Sequence, residues 1–374
     1  MTATACDACL RRTWLIARLA GAIEIARRQK RVLRELLALR DDKLIAALGD
    51  AAGGNVAAEF ENADAAELRA AADAAGLAAV CRHDRRYPLF APYLRDKPAV
   101  LFIAATAEDP LGRLLRLVGD RKGSGPPTVS IVGARRASPE GLEIARALAR
   151  SVTAFGVTVV SGMALGIDSA AHAGALEAGA GTVAVLAGGA DVPYPSSKRS
   201  LYRRILEQGC VVSEMPPGFT PFRWCFPARN RTIAALGHMT VVVEAAERSG
   251  SLITAEVAAD LGRDVGAVPG PITSWRAKGT NALLHDGAML VRNPDDVLDA
   301  VVGLDRLFDA DPGAGLPPRL ASLMRAVSGG RDTLAALAGT PDQAQSTLAA
   351  LTDLELKGRL RRAAGGRYIV VPHW

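Results

Sequence analysis

From Trp14 to Leu48 apolar residues recur at helical spacing, Leu15, Leu19, Ile23, Leu44 and Leu48 among them, and an alanine-rich set continues the pattern to about Val80. The pattern predicts a small helical domain over residues 1–86, with breaks at Asp41-Asp42 and between Gly49 and Asn55. Tyr87 to Pro98 holds three prolines and reads as an extended connector. Beyond the loop signal Gly123-Ser124-Gly125-Pro126-Pro127 the period changes to short apolar runs separated by helical stretches. The predicted strands are Thr128 to Gly133, Val157 to Ser161, Thr182 to Leu186, Cys210 to Ser213, Met239 to Glu244, Asp264 to Val268 and Ala288 to Val291. Helical segments such as Pro139 to Phe155 and Asp168 to Ala178 lie between them. Continuous apolar strands in βαβ alternation mean an α/β fold with a doubly wound parallel sheet covered on both faces, here over residues 87–308. Asp309 to Pro318, rich in Pro, Gly and Asp, reads as a linker. Residues 319–374 then read as three short helices (Leu320 to Val327, Asp332 to Ala338, Pro341 to Leu354) and a hairpin, Leu360 to Val371, around Gly365-Gly366. That is the order of a winged-helix domain.

Composition narrows the class. The hydrophobic fraction of 49% is ample for buried cores, and 374 residues call for two or three domains. No run of about 18 uncharged apolar residues occurs, and the first residues do not show the ordered regions of a signal peptide, so a cytosolic protein without membrane association is expected. Five cysteines at irregular spacing argue against a disulfide framework. Cys6 and Cys9 form one CxxC with no second CxxC or CxxH; His83, two residues after Cys81, offers a distant pair, but buried or terminal thiols are the favoured reading, with no metal and no cofactor. The net charge of +6 is concentrated: residues 11–43 carry ten Lys or Arg against four acids, and the remainder of the chain is neutral. A polyanionic partner suits that balance.

The chemistry gathers at the predicted strand ends, where an open parallel sheet binds its ligands. The first strand runs into Gly133-Ala-Arg135-Arg136-Ala-Ser138, the second into Ser161-Gly162-Met-Ala-Leu-Gly166-Ile-Asp168. The third leads through Gly188-Gly189 to Tyr194-Pro195, Lys198 and Arg199, and the fourth through Ser213-Glu214 to Phe222-Arg-Trp-Cys-Phe226-Pro-Ala-Arg229-Asn230-Arg231. The fifth ends at Glu244, before Ser249-Gly250-Ser251 and a helix bearing Thr254 and Glu256. Arginines, backbone N–H groups at helix starts and aromatic rings suit phosphates and unpaired bases. On this reading Arg135, Lys198, Arg229 and Arg231 hold phosphates while Gly133, Gly162 and Gly250 present backbone donors. Trp224 and Phe226 either stack on bases or anchor their loop on the sheet, and Asn230 fixes the loop. Walker A, GxGxxG, HExxH and GxSxG motifs are absent from the sequence. Asp168 and His172, four apart on one helix with Ser169, suggest a hydrolase, but an Ala-rich face favours a packed histidine.

These stretches resemble the DprA/Smf family of bacterial DNA-processing proteins. The resemblance rests on Ile131-Val-Gly-Ala-Arg-Arg-Ala-Ser138, Ser161 to Asp168 with Ala171-His172, Tyr194-Pro195, Ser213-Glu214 with Pro216-Pro217-Gly218, Phe226-Pro-Ala-Arg-Asn-Arg231, Val243-Glu244-Ala245, Ser249 to Ala255 and Ala267-Val-Pro-Gly270. It covers about residues 90–300; the flanks look like the family's helical N-terminal domain (SAM/HhH-like) and winged-helix tail. It implies an extended Rossmann-like domain that binds single-stranded DNA, forms a homodimer and loads the RecA recombinase, as in natural transformation. The family's basic DNA contacts map to Arg135 and to the Tyr194 to Arg199 loop, with Lys198 the nearest match. Leu165 stands where many members carry a basic residue, and Lys198 where many carry Asn. The competing reading is a nucleotide N-glycosidase of the same superfamily, with Glu256 as the working carboxylate, although its Pro-Gly-Gly-x-Gly-Thr run is absent from the sequence.

Overall fold

The computed structural model describes residues 5–88, 94, 96–120, 125–302, 316–338, 340–357, 359–362 and 366–370. It divides into two compact units, Met1–Val301 and Val302–Trp374. Parts of the predicted connector, the Gly123-Ser124 signal, most of the linker and Gly365 lie outside the described residues.

The first unit opens with six helices: α1 (Asp7–Arg18), α2 (Ala20–Arg28), α3 (Leu33–Ala38), α4 (Asp41–Ala52), α5 (Val56–Glu61) and α6 (Ala65–Ala74). Local chemistry sets their short lengths. Asn55 and Asp64 cap α5 and α6 by accepting from the N–H groups of Ala58 and Ala66. The helical pattern does not run to Val80 as the alanine content suggests. Gly76, at φ 68°, turns the chain, and β1 (Ala78–Cys81) leaves as a strand. β1 pairs antiparallel with β2 (Val100–Ala104), and β2 pairs antiparallel with β6 (Cys210–Ser213). The expected parallel sheet therefore carries two antiparallel strands on one side.

The remaining strands are parallel: β3 (Thr128–Val132), β4 (Thr158–Ser161), β5 (Thr182–Leu186), β7 (Met239–Val242), β8 (Asp264–Ala267) and β9 (Met289–Leu290). Their buried Val, Ile and Ala residues show why the runs read as continuous rather than alternating. Strand order is β1-β2-β6-β5-β4-β3-β7-β8-β9. The chain steps outward from β3 to β6 and then returns to the other side of β3 at β7. Loops leaving β3 and β7 consequently diverge and open a crevice at the carboxyl ends of the strands. The crossover helices are α8 (Pro139–Ala154), α9 (Ile167–Glu177), α10 (Arg199–Gln208), α11 (Cys225–Leu236), α12 (Gly250–Asp260) and α13 (Lys278–His285); α7 (Pro110–Val118) precedes β3 and α14 (Pro294–Val302) follows β9.

The start of α11 fastens the N-terminal helices to the sheet. Trp224 is fully buried among Leu15, Leu19, Ile23 and Leu44. Its indole donates to Ala20 O at 2.9 Å and its backbone N–H to Glu24 Oε2 at 3.0 Å. The aromatic thus anchors its loop, as one of the two sequence readings has it, but onto helix α2 as well as onto the sheet unit.

In the second unit, α15 (Pro318–Ser328), α16 (Leu334–Ala338) and α17 (Pro341–Leu356) precede the antiparallel pair β10 (Leu360–Arg362) and β11 (Tyr368–Val370). Leu320, Met324, Leu351, Leu354 and Tyr368 form its core. Three basic residues near the hairpin face acids of the same unit: Arg367 with Asp332, Lys357 with Asp353, and Arg362 with Glu355.

Replacing Trp224 by Ala removes a fully buried indole and its hydrogen bond to Ala20 O, so the unfolding free energy should fall by about 3–5 kcal/mol in urea titration. A fall below about 1 kcal/mol would show that the N-terminal helices are held by other means.

Candidate functional site

The crevice between the ends of β3 and β7 is a cleft of about 520 Å³. Gly133, Arg135 and Arg136 line it from the loop after β3, Phe226, Arg229 and Asn230 from α11, and Arg248 to Gly250 with Thr254 from the start of α12. Residues from three of the strand-end segments picked out in the sequence therefore meet in one place.

Its rim is cationic and aromatic. Arg135 and Arg136 are exposed. The Arg135 guanidinium lies over the Phe226 ring, 4.9 Å from its centre, and Phe226 contacts the Tyr194 ring at 5.5 Å. Tyr194 leads through Pro195 into a 3-10 turn, Ser196–Lys198, and the exposed Arg199; neither Lys198 nor Arg199 lines the cleft itself. A further wall carries Trp275, 54% exposed, with the Arg276 guanidinium 4.6 Å from its ring centre. Arg276 Nε donates to Arg136 O, tying this wall to the loop after β3. Trp275 and Arg248 were missed in the sequence; an aromatic beside a cation, Trp275-Arg276, is the signal that marks the first of them.

Helix N-termini explain which positions stay open to an anion. At α8, Ser138 caps Gly141 N, and the Glu244 carboxylate accepts from Ser138 N–H at 2.9 Å and from its hydroxyl. Gly141 leaves the room for it, since a Cβ there would sit 2.5 Å from Glu244 Cδ. The chain's own carboxylate fills that helix end, so Ser138 serves the fold rather than a phosphate. At α12, Ser249 caps the helix by accepting from Ser251 N–H, and Gly250 is exposed with open space where a Cβ would lie. Asn230 Nδ2 donates to Gly250 O at 3.1 Å, the loop-fixing role expected of it. The first turn of α12 therefore faces the cleft with backbone donors and no acid in that turn.

Four further expectations need correction. Ser161 is fully buried and donates to Ile131 O. Gly162 is buried; its carbonyl accepts from Arg229 Nη1 at 2.6 Å, and its N–H is directed to the Asp168 carboxyl. Gly166, at φ 81°, lets the start of α9 press on the loop after β3, where a Cβ would lie 2.1 Å from Ala134 O. Arg231, 4% exposed, spends its guanidinium on Glu214 (2.6 Å), Asp96 (3.2 Å) and two backbone carbonyls. None of the four lines the cleft.

Arg229 lies between these cases. It lines the cleft, yet its Nη1 donates to both Gly162 O and Val185 O. Burial, with Arg135 nearby, lowers its pKa to about 10 against the pull of Asp168. Burial in turn raises the Asp168 pKa, and Arg229 opposes the rise. His172 is fully buried, its Nδ1 2.9 Å from Thr182 Oγ1, and burial drives its pKa down to about 3. A neutral packed histidine is what the sequence favours over a general base. Glu256 is exposed and borders a separate depression with Arg263 and Met289, so the carboxylate of the glycosidase reading does not reach the strand-end cleft.

Residues 78–302 match the family model described as DNA recombination-mediator protein A. The chain belongs to the DNA recombination-mediator protein A family. The matched segment contains every wall of the cleft. Among relatives, DNA processing protein DprA of Streptococcus pneumoniae is 39% identical over 215 residues, covering 58% of this chain and 71% of its own. A Mycobacterium tuberculosis relative is 45% identical over 190 residues, 51% of this chain, and the chain spans about half, 49%, of that relative's length. The X-ray structure of DNA processing protein A from S. pneumoniae matches with a TM-score of 0.60 at 31% identity, covering 80% of this chain and 99% of that one. A Helicobacter pylori DNA processing protein A, solved for its single-stranded DNA binding mode, matches with a TM-score of 0.52 at 26% identity over 61% of this chain and 97% of that one. Among the described residues no helix is long and apolar enough to cross a membrane.

His172 makes stability depend on pH with a definite sign. Its folded pKa of about 3 lies below the ordinary value of 6.5, so its contribution is present above pH 6.5 and is lost as pH falls toward 3. Unfolding free energy should drop by about 2 kcal/mol between about pH 7 and about pH 5 through this group. His172→Asn should flatten that part of the dependence in parallel urea titrations; an unaltered pH profile would show that the imidazole is not the neutral buried group described.

Proposed function

We propose that this chain binds single-stranded DNA along the strand-end cleft and acts as a recombination mediator, not as an enzyme. The observation that carries the reading is the Arg135–Phe226–Tyr194 stack, a cation on an aromatic on an aromatic, at the rim of a cleft with an open helix N-terminus. Sequence-tolerant binding of single strands needs those two ingredients, cations for phosphates and rings for unstacked bases. Arg135, Arg136, Lys198 and Arg199 hold phosphates, Gly133 and Gly250 offer backbone donors, and Tyr194, Phe226 and Trp275 meet bases. Arg229 supports the floor and adds positive potential beneath the strand. The single-stranded DNA binding of the H. pylori relative supports the same class of partner.

Loading of RecA onto the bound strand, action in natural transformation and a homodimer through the sheet domain belong to the same proposal, supported by the family's motifs in residues 131–270. On the same proposal a helical N-terminal domain ends with α6, before β1, which the 1–86 boundary read in the sequence placed on the wrong side; the DNA-binding Rossmann-like domain continues to 308 and a winged-helix module occupies 319–374. The helix and hairpin order supports that last assignment. Because Arg367, Lys357 and Arg362 are paired with acids, a partner-protein role fits the tail better than groove reading.

Arg135→Ala with Lys198→Ala should weaken binding of a dT oligonucleotide and lower the slope of log K against log salt by about 0.7 for each phosphate that is no longer neutralised. Tyr194→Ala should cost about 1–3 kcal/mol with the slope unchanged. Wild-type affinity and slope in the double variant would refute the cleft as the binding site.

A further inference from the structure

Three thiols that the sequence leaves unassigned meet a histidine at one edge of the sheet. Cys6 stands at the N-cap of α1 and Cys9 follows within its first turn, while Cys81 ends β1 and His83 lies in the turn beyond it. The four ligating atoms all fall within 4.8 Å of one another. Cys6 Sγ and Cys9 Sγ stand 3.4 and 3.5 Å from His83 Nδ1. A tetrahedral zinc ion held at about 2.3 Å by sulfur and about 2.0 Å by imidazole nitrogen sets sulfur–nitrogen edges of about 3.6 Å and sulfur–sulfur edges of about 3.8 Å. The two sulfur–nitrogen distances match the first of these edges, and the remaining pairs lie within 4.8 Å, close enough to shut around an ion. We propose that Cys6, Cys9, Cys81 and His83 form a structural Cys3His site for a zinc ion, which staples the N-terminal helices to the edge of the sheet.

The backbone around the four residues is arranged as a ligand frame. The N–H groups of Cys9 and Leu10 donate to Cys6 O at 3.0 and 3.1 Å, fixing the CxxC on the helix start. Asp84 N–H donates to Cys81 O at 2.9 Å and Arg82 N–H to Ala99 O at 3.0 Å, fixing the turn that carries Cys81 and His83. Cys9 and Cys81 are buried in a cluster with Leu10, Ala79 and Phe102, whereas His83 is at the surface, so the ion would sit under the protein edge with an entry path from solvent. Three sulfurs and one nitrogen, with all four tetrahedral positions filled by side chains, suit zinc and a structural role. Two ligands come from each partner element, so the ion joins α1 to β1 rather than closing a local loop.

The test uses the full chain purified under reducing conditions without added chelator. Metal analysis should find one zinc per chain, and removal by a strong chelator should lower Tm reversibly, with zinc restoring it. His83→Ala, a surface change that spares the fold, should weaken Co(II) binding more than about 100-fold, beyond what removing an outer-shell partner costs, and should alter the visible spectrum of the tetrahedral cobalt–thiolate site. Cys6→Ser with Cys9→Ser should abolish stoichiometric zinc. Zinc-free protein from zinc-replete cells whose thiols bind no Co(II) would overturn the assignment, as would stoichiometric zinc retained in the double cysteine variant.

Discussion

Two guanidinium groups buried on one short helix hold the strand-end side of this sheet together. A charge taken out of water is tolerated only when acceptors surround it, and removing one partner of such a set is far more damaging than forgoing the set altogether. Arg231 meets that requirement through Glu214 at the end of β6 and Asp96 in the connector. Arg229 meets it through carbonyls after β4 and in β5. One helix, α11, thereby locks the ends of three strands and the connector into a single floor. The same helix begins at Trp224, which is seated among the N-terminal helices. Phe226 lies between these anchors, and its place at the cleft rim follows from both.

The cleft is selective about where it leaves donors open. Of the helix starts beside it, α8 is neutralised by Glu244, and Asp168 at α9 takes the amides of Ala164 and Gly162. The first turn of α12 carries no acid. Negative charge supplied from within the chain thus closes two of the three anion positions and concentrates the third beside Arg248 and across from Arg135. A polyanion tracking from α12 past Arg135 to the Tyr194–Lys198 turn meets cations and rings in alternation, the arrangement that single strands require.

Much of this was legible in the sequence because the signals are periodic or local. The seven parallel strands announce themselves as apolar runs, and their ends collect glycine and arginine where the topology places the crevice. The antiparallel strands β1 and β2 were not legible: Ala78-Ala79-Val80-Cys81 has the composition of the helix before it, and only pairing with β2 makes it a strand. Nor does sequence separate an arginine that faces solvent from one that faces carbonyls. Arg135 follows a strand and Arg231 lies within α11, both in arginine-bearing loops or helix starts of the same kind, and what separates them is Glu214 and Asp96 beside Arg231. The sequence shows Cys6-x-x-Cys9 and Cys81-x-His83 as two pairs but not their meeting, since Cys9 and His83 are 74 positions apart and become neighbours only through the β1 edge.

The central claim is that nucleic acid lies in this cleft, and hydrogen exchange of the full chain with and without a dT oligonucleotide tests it most directly. The account predicts slowed amide exchange in three separated segments, 133–138, 194–199 and 248–254, with single strands protecting more than duplex of equal length. Protection confined to residues 316–370, or absent from all three segments at saturating oligonucleotide, would contradict it.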